Sequence, residues 1–170
     1  MNSISFREVS PDAAELAPFL NGLFTFYASR YGDYFNASQE DEQTAWYLPP
    51  HGLFLVMERQ GEIIGMGAFK PFDEETAELK RIWTRSDLRR QGLALQMVTE
   101  LERRARQAGY QHLYLTTGFR QPEAVQLYLG CGYQPQFDIE GDLERYSQPP
   151  YDGRLRFRKA IGQQDVAQAS

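Results

Sequence analysis

Short stretches rich in apolar, β-branched and aromatic residues recur along the chain, which is the pattern of strands in a sheet. Two of these stretches flank Gln60 and Gly61, a dipeptide that favours a tight hairpin turn. The predicted strands cover residues 4–9, 53–59, 62–70, 76–84, 112–117 and 155–159, with a further strand from Tyr133 onward.

Between the strands, apolar residues recur every three or four positions, the spacing that gives a helix one apolar face. Pro11 and Pro122 are placed as helix starts, and Gly109 and Gly132 as helix ends. The predicted helices cover residues 12–30, 38–47, 93–108 and 121–131. Strands and helices in this order predict an α+β domain with helices packed on a mixed sheet. We expect residues 1–170 to form a single domain.

Composition excludes several classes of protein. The 18 basic side chains are outnumbered by 23 acidic ones, which argues against nucleic acid as the main partner. Cys131 is the only cysteine, so no intramolecular disulfide is possible and a reducing compartment fits best. Two histidines and one cysteine are too few for a structural zinc site. Because no apolar run has the length of a signal peptide or a membrane span, we expect a soluble, cytoplasmic protein with no membrane partner.

The turn between strand 76–84 and helix 93–108 concentrates positive charge in a chain whose net charge is -5. The first turn of a helix has N–H groups without intrahelical partners, and the helix dipole also favours an anion there. Gly92 lacks the Cβ that would keep a ligand away from the backbone, and Ala94 is the next smallest residue. The turn therefore predicts a phosphate site, surrounded by Arg81, Arg85, Arg89 and Arg90.

The six residues R-R-Q-G-L-A at 89–94 match the pattern Q/R-x-x-G-x-G/A. This motif resembles the pyrophosphate loop of the GNAT superfamily of N-acetyltransferases; the alternative is an ordinary strand-to-helix turn with a solvated basic face. The resemblance implies acetyl-CoA as co-substrate, with its pyrophosphate bound by Arg89, Arg90, Gln91, Gly92, Leu93 and Ala94. It also implies that the preceding strand pairs with the pantetheine arm through the backbone of Ile82, Trp83 and Thr84.

Residues 121–133 resemble a second GNAT signature, N-x-x-A-x-x-L-Y-x-x-x-G-F/Y. Its first position differs, because Gln121 replaces the usual asparagine that contacts the coenzyme arm; the resemblance implies that Gln121 binds the coenzyme in its place. Together the two motifs cover roughly residues 76–134. The resemblance implies a GNAT fold, with a mixed, mostly antiparallel sheet of six to seven strands and helices on both faces. It also implies a homodimer, since dimers are common in the superfamily.

The same resemblance makes Tyr128 the general acid that protonates the departing thiolate. A phenol with a pKa of about 10 is close in acidity to a thiol with a pKa of roughly 8–9. The alternative is a core aromatic residue whose hydroxyl bonds a neighbouring backbone group.

Glu78 precedes Gly92 by fourteen positions, the offset at which the histone-modifying branch of the superfamily places its general base. Burial raises the pKa of a carboxyl group toward the range that suits this task. Strand alternation places Glu78 on one face with Lys80, Ile82 and Thr84, and places Leu79, Arg81 and Trp83 on the other. Two alternatives stay open: an ion pair of Glu78 with Lys80 or an arginine, and a chain of water molecules as the base.

The acceptor pocket of this fold is usually built by the first two helices and nearby loops, a region that is rich here in aromatic and acidic residues. Such a mixture would hold a cationic amine by ion pairing and cation–π contact. Its members are Tyr27, Tyr31, Tyr34, Phe35, Trp46 and Tyr47 with Asp33, Glu40, Asp41 and Glu42. We therefore predict an N-acetyltransferase acting on a primary amine of a small molecule. Two alternatives remain: acetylation of a protein N-terminus or lysine, and a non-catalytic acyl-CoA-binding module.

Overall fold

The computed structural model describes residues 3–32, 34, 43–89 and 91–162. These residues form one mixed sheet of seven strands in the order β1-β2-β3-β4-β5-β7-β6. The strands are β1 Ile4–Glu8, β2 Leu53–Arg59, β3 Glu62–Pro71, β4 Thr76–Thr84, β5 His112–Gly118, β6 Gln134–Pro135 and β7 Arg154–Ala160. The hairpin between β2 and β3 turns at Gln60 and Gly61, both with positive φ, as the sequence predicted.

Helices cover both faces of the sheet, so the predicted fold class is confirmed. The α-helices are α1 Ala17–Tyr31, α2 Leu93–Gln107 and α3 Pro122–Gly130, and short 3-10 helices cover Ala14–Leu16, Thr44–Tyr47, Ser86–Leu88 and Leu143–Ser147. One buried cluster joins α1 to the sheet through Leu16, Phe19, Leu23, Phe54, Val56 and Met66. A larger cluster joins α2 and α3 to the opposite face through Met97, Leu101, Val125, Tyr128, Leu113, Leu115 and Phe157. Among the helices described, none has the length and apolar character needed to cross a membrane.

One predicted helix start differs from the structure, and another lies outside the described residues. The predicted start at Pro11 is wrong, because that segment forms a turn in which Ser10 hydrogen-bonds Asp12. The first α-helix begins instead at Ala17, and Pro18 takes the early position that tolerates a missing N–H. The predicted helix 38–47 is described only from residue 43, where a single 3-10 turn is present; its predicted start at residue 38 lies outside the described ranges.

Strands β4 and β5 are parallel and joined by α2, and their pairing is short. It covers only Thr76–His112, Ala77–Leu113 and Glu78–Tyr114 among the described residues. Beyond this point β4 continues along β3 to Thr84, while β5 continues along β7 to Gly118. The two strands therefore diverge toward their carboxyl ends and leave an opening between them.

A β-bulge interrupts β4 beside this opening. Met66 pairs with Trp83 and Ala68 pairs with Lys80, so Gly67 alone lies opposite two residues of β4, Arg81 and Ile82. Arg81 has a φ of 57°, a left-handed conformation that is uncommon for a residue with a side chain.

The bulge reverses the side-chain alternation that the sequence predicted for β4. Leu79 and Ile82 pack in the same cluster, under α2, although their numbers differ in parity. Trp83 instead packs with the α1 cluster. The sheet faces predicted for the β4 side chains are therefore correct as far as Lys80 and wrong after Arg81. The one extra residue shifts every later side chain to the other face.

Candidate active site

The N-terminus of α2 is open to a ligand. Gly92 is the N-cap, with φ 75° and ψ 14°, and no side chain among the described residues caps this helix end. The first intrahelical bond from Gln96 N–H reaches Gly92 O, so the N–H groups of the preceding first-turn residues point out of the helix. A Cβ built on Gly92 would meet no heavy atom within 4 Å. Leu93 is buried and Ala94 half-buried, which anchors the turn while Gln91 and Gly92 stay exposed.

The arginines around this turn have separate roles. Arg85 forms ion pairs with Asp87 at 2.7 Å and with Glu62 at 3.2 Å. Arg89 lies 4.3 Å from the centre of the Trp83 ring and donates a hydrogen bond to Thr84 O at 3.3 Å.

Arg81 lies 5.6 Å from the centre of the Phe24 ring, and Arg90 is outside the described residues. The side chain of Gln91 accepts a hydrogen bond from Arg59 at 3.4 Å. Of the predicted phosphate ligands, Arg89 is thus held at the end of β4, directly beside the opening.

Gly92→Val is expected to weaken acetyl-CoA binding at least tenfold, because the branched side chain would occupy the open space over the helix N-terminus. It should also cost about 1–2 kcal/mol of stability, since an L-residue is strained in the left-handed region. Gly61→Val is the matched control: Gly61 has a φ of 80° and equally open space, but it lies in the β2–β3 hairpin. Calorimetric titration and thermal melting should show a similar loss of stability in both variants and a binding defect in Gly92→Val alone. Equal affinity in the two variants would contradict the phosphate-site assignment.

Gln121 holds the turn between β5 and α3. Its Oε1 accepts hydrogen bonds from Gly118 N and from the Tyr31 hydroxyl, each at 2.9 Å. The Tyr31 oxygen in turn accepts from Arg120 N at 3.2 Å. A Cβ on Gly118 would overlap the Tyr31 hydroxyl, so glycine is required at this close approach. The oxygen of Gln121 therefore ties α3 to α1 and β5 within the protein.

Tyr128 is buried on α3 and faces the sheet. The residue is 8% exposed, and its ring centre lies 5.7 Å from that of Tyr133 and 5.8 Å from that of Phe157. Among the described residues its hydroxyl has no hydrogen-bond partner, so the backbone-bonding alternative finds no support there.

Burial raises the pKa of Tyr128 above the ordinary phenol value, so the group stays protonated at neutral pH. The sequence led us to expect that the pKa of the Tyr128 phenol would be close to that of an ordinary thiol. In the free protein, the raised pKa of the phenol makes this difference larger. A thiolate released into the same buried space would also be destabilised, which raises the pKa of the thiol as well.

Thr117 is a residue that sequence reasoning missed. It lies on β5 beyond the last β4–β5 pair, and its buried Oγ1 has no hydrogen-bond partner among the described residues. An unsatisfied buried hydroxyl costs about 1–3 kcal/mol, and a polar ligand in the opening would supply the missing partner. Strand alternation places Thr117 on the face of Leu113 and Leu115, the same face that α3 covers.

Glu78 is the last residue of β4 that pairs with β5. Its carboxylate lies 4.0 Å from Nζ of Lys70, the residue directly opposite on β3. Their side chains are only 14% and 11% exposed, so this is not the surface ion pair considered from the sequence. Lys70 was not foreseen as a partner, because the register of β3 against β4 decides the pairing.

The aromatic region before β2 divides into core and surface. Tyr31 and Tyr47 are buried, whereas Tyr27, Tyr34 and Trp46 are 38–40% exposed. The Trp46 ring lies 4.7 Å from Lys70 Nζ, which brings one aromatic residue of the predicted pocket close to Glu78. The remaining members, Asp33, Phe35, Glu40, Asp41 and Glu42, lie outside the described residues.

Residues 20–133 match the family model for the acetyltransferase (GNAT) family. The chain therefore belongs to the GNAT acetyltransferase family, as its two motifs predicted. It is 36% identical over 96 residues to the N-acetyltransferase family 8 member 2 of Rattus norvegicus, an alignment that covers 54% of this chain and 42% of the rat protein. The chain thus spans about half the length of the curated relatives it matches.

Solved structures share this fold. A protein of Klebsiella pneumoniae subsp. pneumoniae, provisionally described as an acyl-CoA N-acyltransferase, is 26% identical with a TM-score of 0.69, covering 93% of this chain and 97% of that one. A GNAT family acetyltransferase from Elizabethkingia anophelis with acetyl-CoA bound is 18% identical with a TM-score of 0.62, covering 94% and 99%.

Proposed function

We propose that the chain is an acetyl-CoA-dependent N-acetyltransferase that acetylates a primary amine of a small molecule. The observation that carries the proposal is the opening between β4 and β5, whose pairing stops after Glu78 and Tyr114. The loop that follows β4 returns to this opening, since Arg89 bonds Thr84 O, and leads into the uncapped N-terminus of α2. An extended ligand with a phosphate at one end and amides along its length fits such a site.

The residues present fit acetyl-CoA in two ways. The first turn of α2, with Gln91, Gly92, Leu93 and Ala94, would hold the pyrophosphate together with Arg89 and Arg90. The β4 edge at Ile82, Trp83 and Thr84 would pair with the amides of the pantetheine arm, and Thr117 would gain its missing hydrogen bond. Gln121 would act indirectly, by holding α3 in place.

Bound acetyl-CoA supplies an acyl group activated as a thioester. Glu78 would take a proton from the acceptor ammonium, so that a neutral amine attacks the thioester carbonyl. Backbone N–H groups of β4 would stabilise the negative charge that develops on the carbonyl oxygen. As the C–N bond forms and the C–S bond breaks, Tyr128 would donate its proton to the leaving sulfur. The second proton lost from the nitrogen would pass through solvent and restore the Tyr128 phenol. The products are the acetylated amine and free coenzyme A.

A thiol-release assay separates this proposal from its two alternatives. The panel contains small primary amines, peptides with free N-termini and peptides with internal lysines, each with acetyl-CoA. Release that depends on small amines supports the proposal, whereas release with peptides alone would replace it with protein acetylation. Acetyl-CoA binding measured by calorimetry without any release would instead indicate a binding module.

Glu78→Gln is expected to lower turnover about 100-fold at neutral pH, because the amine then loses its general base. The defect should shrink as pH rises toward the amine's own pKa of about 10, where solution supplies the neutral amine. Glu74→Gln, an exposed change in the preceding turn, is the control and should leave the pH profile unchanged. A loss of equal size at every pH would indicate a structural role for Glu78, and wild-type turnover would favour a water chain as the base.

We also propose that the chain functions as a single domain, as a homodimer and in the cytoplasm. The single sheet that runs through the described residues supports one domain, and the lone cysteine fits a reducing compartment. Light scattering of the purified protein would test the dimer, and a monomer at micromolar concentration would contradict it.

A further inference from the structure

Four neighbouring strands place a row of side chains across the sheet at the start of the β4–β5 opening. Lys70 on β3 pairs with Glu78 on β4, Glu78 pairs with Tyr114 on β5, and Tyr114 pairs with Arg158 on β7. Directly paired residues point to the same face of a sheet. The row therefore presents, in order, a positive, a negative, an aromatic and a positive group.

This row lies on the face opposite α2 and α3. Leu113 and Leu115, which flank Tyr114 on β5, are both in the core under those helices. Because successive strand residues point to opposite faces, Tyr114 and its partners face the other side. Lys70 contacts Trp46 on that side, next to the region predicted to bind the acceptor.

Arg158 is held in place by aromatic rings. Its guanidinium lies 5.6 Å from the ring centres of both Phe72 and Tyr114, and these two rings lie 4.3 Å apart. Within the described parts of the chain, the Arg158 side chain donates no hydrogen bond and forms no ion pair. The nearby Asp73 carboxylate accepts a hydrogen bond from Glu75 N at 2.9 Å, which lowers the pKa of Asp73, and the charge of Arg158 is a smaller cause of the same shift.

Arg156 lies on the same face of the same strand as Arg158, but its guanidinium is bonded to a carboxylate. It donates to both carboxylate oxygens of Asp152, at 2.7 and 3.2 Å. One of these two arginines therefore has its guanidinium bonded to the protein. The other lies beside two aromatic rings, with no hydrogen bond from its guanidinium to the described residues.

We propose that Arg158 binds a carboxylate on the acceptor, so that the substrate is a small amine that also carries an acid group. This inference rests on the proposed acetyltransferase function and names its substrate class. Glu78 and Arg158 are two strands apart, about 10 Å between their Cα atoms. The acceptor ammonium would lie at Glu78, the carboxylate would bind the guanidinium through two parallel hydrogen bonds, and Tyr114 would lie between them. An acceptor bound the other way round would place its carboxylate at Glu78 and its ammonium at Arg158, and repulsion between like charges excludes that orientation.

The test compares amines that differ only in the acid group. γ-Aminobutyrate and ε-aminocaproate are each assayed beside the matching carboxamide, in which several methylene groups keep the amine basicity nearly equal. Wild-type protein should prefer the carboxylate in kcat/KM by about 10- to 100-fold, the effect of a charge-assisted hydrogen bond. Arg158→Gln should abolish the preference, mainly through KM, and Arg156→Gln should keep it. Calorimetric titration of γ-aminobutyrate and its carboxamide into the same three proteins gives a second reading that needs no turnover.

The outcomes separate this inference from the proposed function. If amines are acetylated but carboxylate and carboxamide react equally in the wild type, the carboxylate site is wrong and the acetyltransferase stands. An equal loss of preference in Arg156→Gln and Arg158→Gln would also overturn the assignment to Arg158. If no amine is acetylated, the proposed function fails. Calorimetry then still tests the carboxylate site. Binding of γ-aminobutyrate that is lost in Arg158→Gln but kept in the wild type and in Arg156→Gln would support the site. Equal binding of γ-aminobutyrate and its carboxamide to the wild type would refute it.

Discussion

Tyr128→Phe is expected to lower the turnover number about 10²–10⁴-fold, the usual contribution of a positioned general acid. The change keeps the ring and its packing against Tyr133 and Phe157. Because the hydroxyl has no hydrogen-bond partner among the described residues, thermal stability and acetyl-CoA affinity should hardly change. The loss should appear in kcat more than in KM, since the proton is needed only as the thiolate departs.

Tyr110→Phe is the matched control for this experiment. Tyr110 is also a buried tyrosine, but its hydroxyl donates to His51 O at 2.7 Å, beyond the end of α2. Its removal should cost about 0.5–1.5 kcal/mol of stability and leave turnover intact. The two variants thus have opposite expected effects. Turnover of Tyr128→Phe within about twofold of wild type would make Tyr128 a packing residue and leave solvent or the incoming amine to protonate the thiolate.

Glu102→Ala is expected to produce the largest loss of stability. Glu102 is a 7% exposed residue of α2 that accepts hydrogen bonds from the Tyr133 hydroxyl at 2.8 Å and from Lys159 Nζ at 3.1 Å. Lys159 also donates to Cys131 O at 2.8 Å, so this network ties α2 to β7 and to the end of α3. Removing one partner of a buried ion pair costs about 3–5 kcal/mol, and the partial exposure of Lys159 favours the lower value.

A loss of about 3 kcal/mol should lower the melting temperature by about 6–12 °C in a domain of this size. Glu144→Ala is the control, because Glu144 forms an ion pair with Arg120 in which both side chains are 46% exposed. Its melting temperature should stay close to that of the wild type. Similar melting temperatures for both variants would mean that the buried network adds nothing beyond a surface ion pair.

Local patterns in the sequence predicted much of the fold. The bounds of β2 and β4 are as predicted, and α2 ends within one residue of the expected position. These elements have strong local signals: a Gln60–Gly61 turn between two apolar runs, and a glycine at 109 with positive φ after the helix. The glycine turn at the start of α2, where we propose the phosphate site, was predictable for the same reason, because Gly92 and the helix that follows it are neighbours along the chain.

Features set by contacts between distant segments could not be predicted. The bulge at Arg81 had no local signal, since the left-handed position holds arginine in place of glycine. Lys70 and Arg158 fall in the same row across the sheet as Glu78 only through strand register, which relates positions far apart in the chain. Thr117 is recognisable only once β4 and β5 are seen to diverge, because its hydroxyl is ordinary until its surroundings lack a partner.

The bulge in β4 also determines which changes in chain length the protein can accept. With one extra residue between Lys80 and Trp83, the same strand presents Glu78 and Trp83 to one layer and Leu79 and Ile82 to the other. Deleting that residue would exchange the later side chains, sending the indole under α2 and the isoleucine toward α1. Within the family, β4 should therefore tolerate replacements of individual side chains more readily than insertions or deletions, and gaps in sequence comparisons should fall outside it.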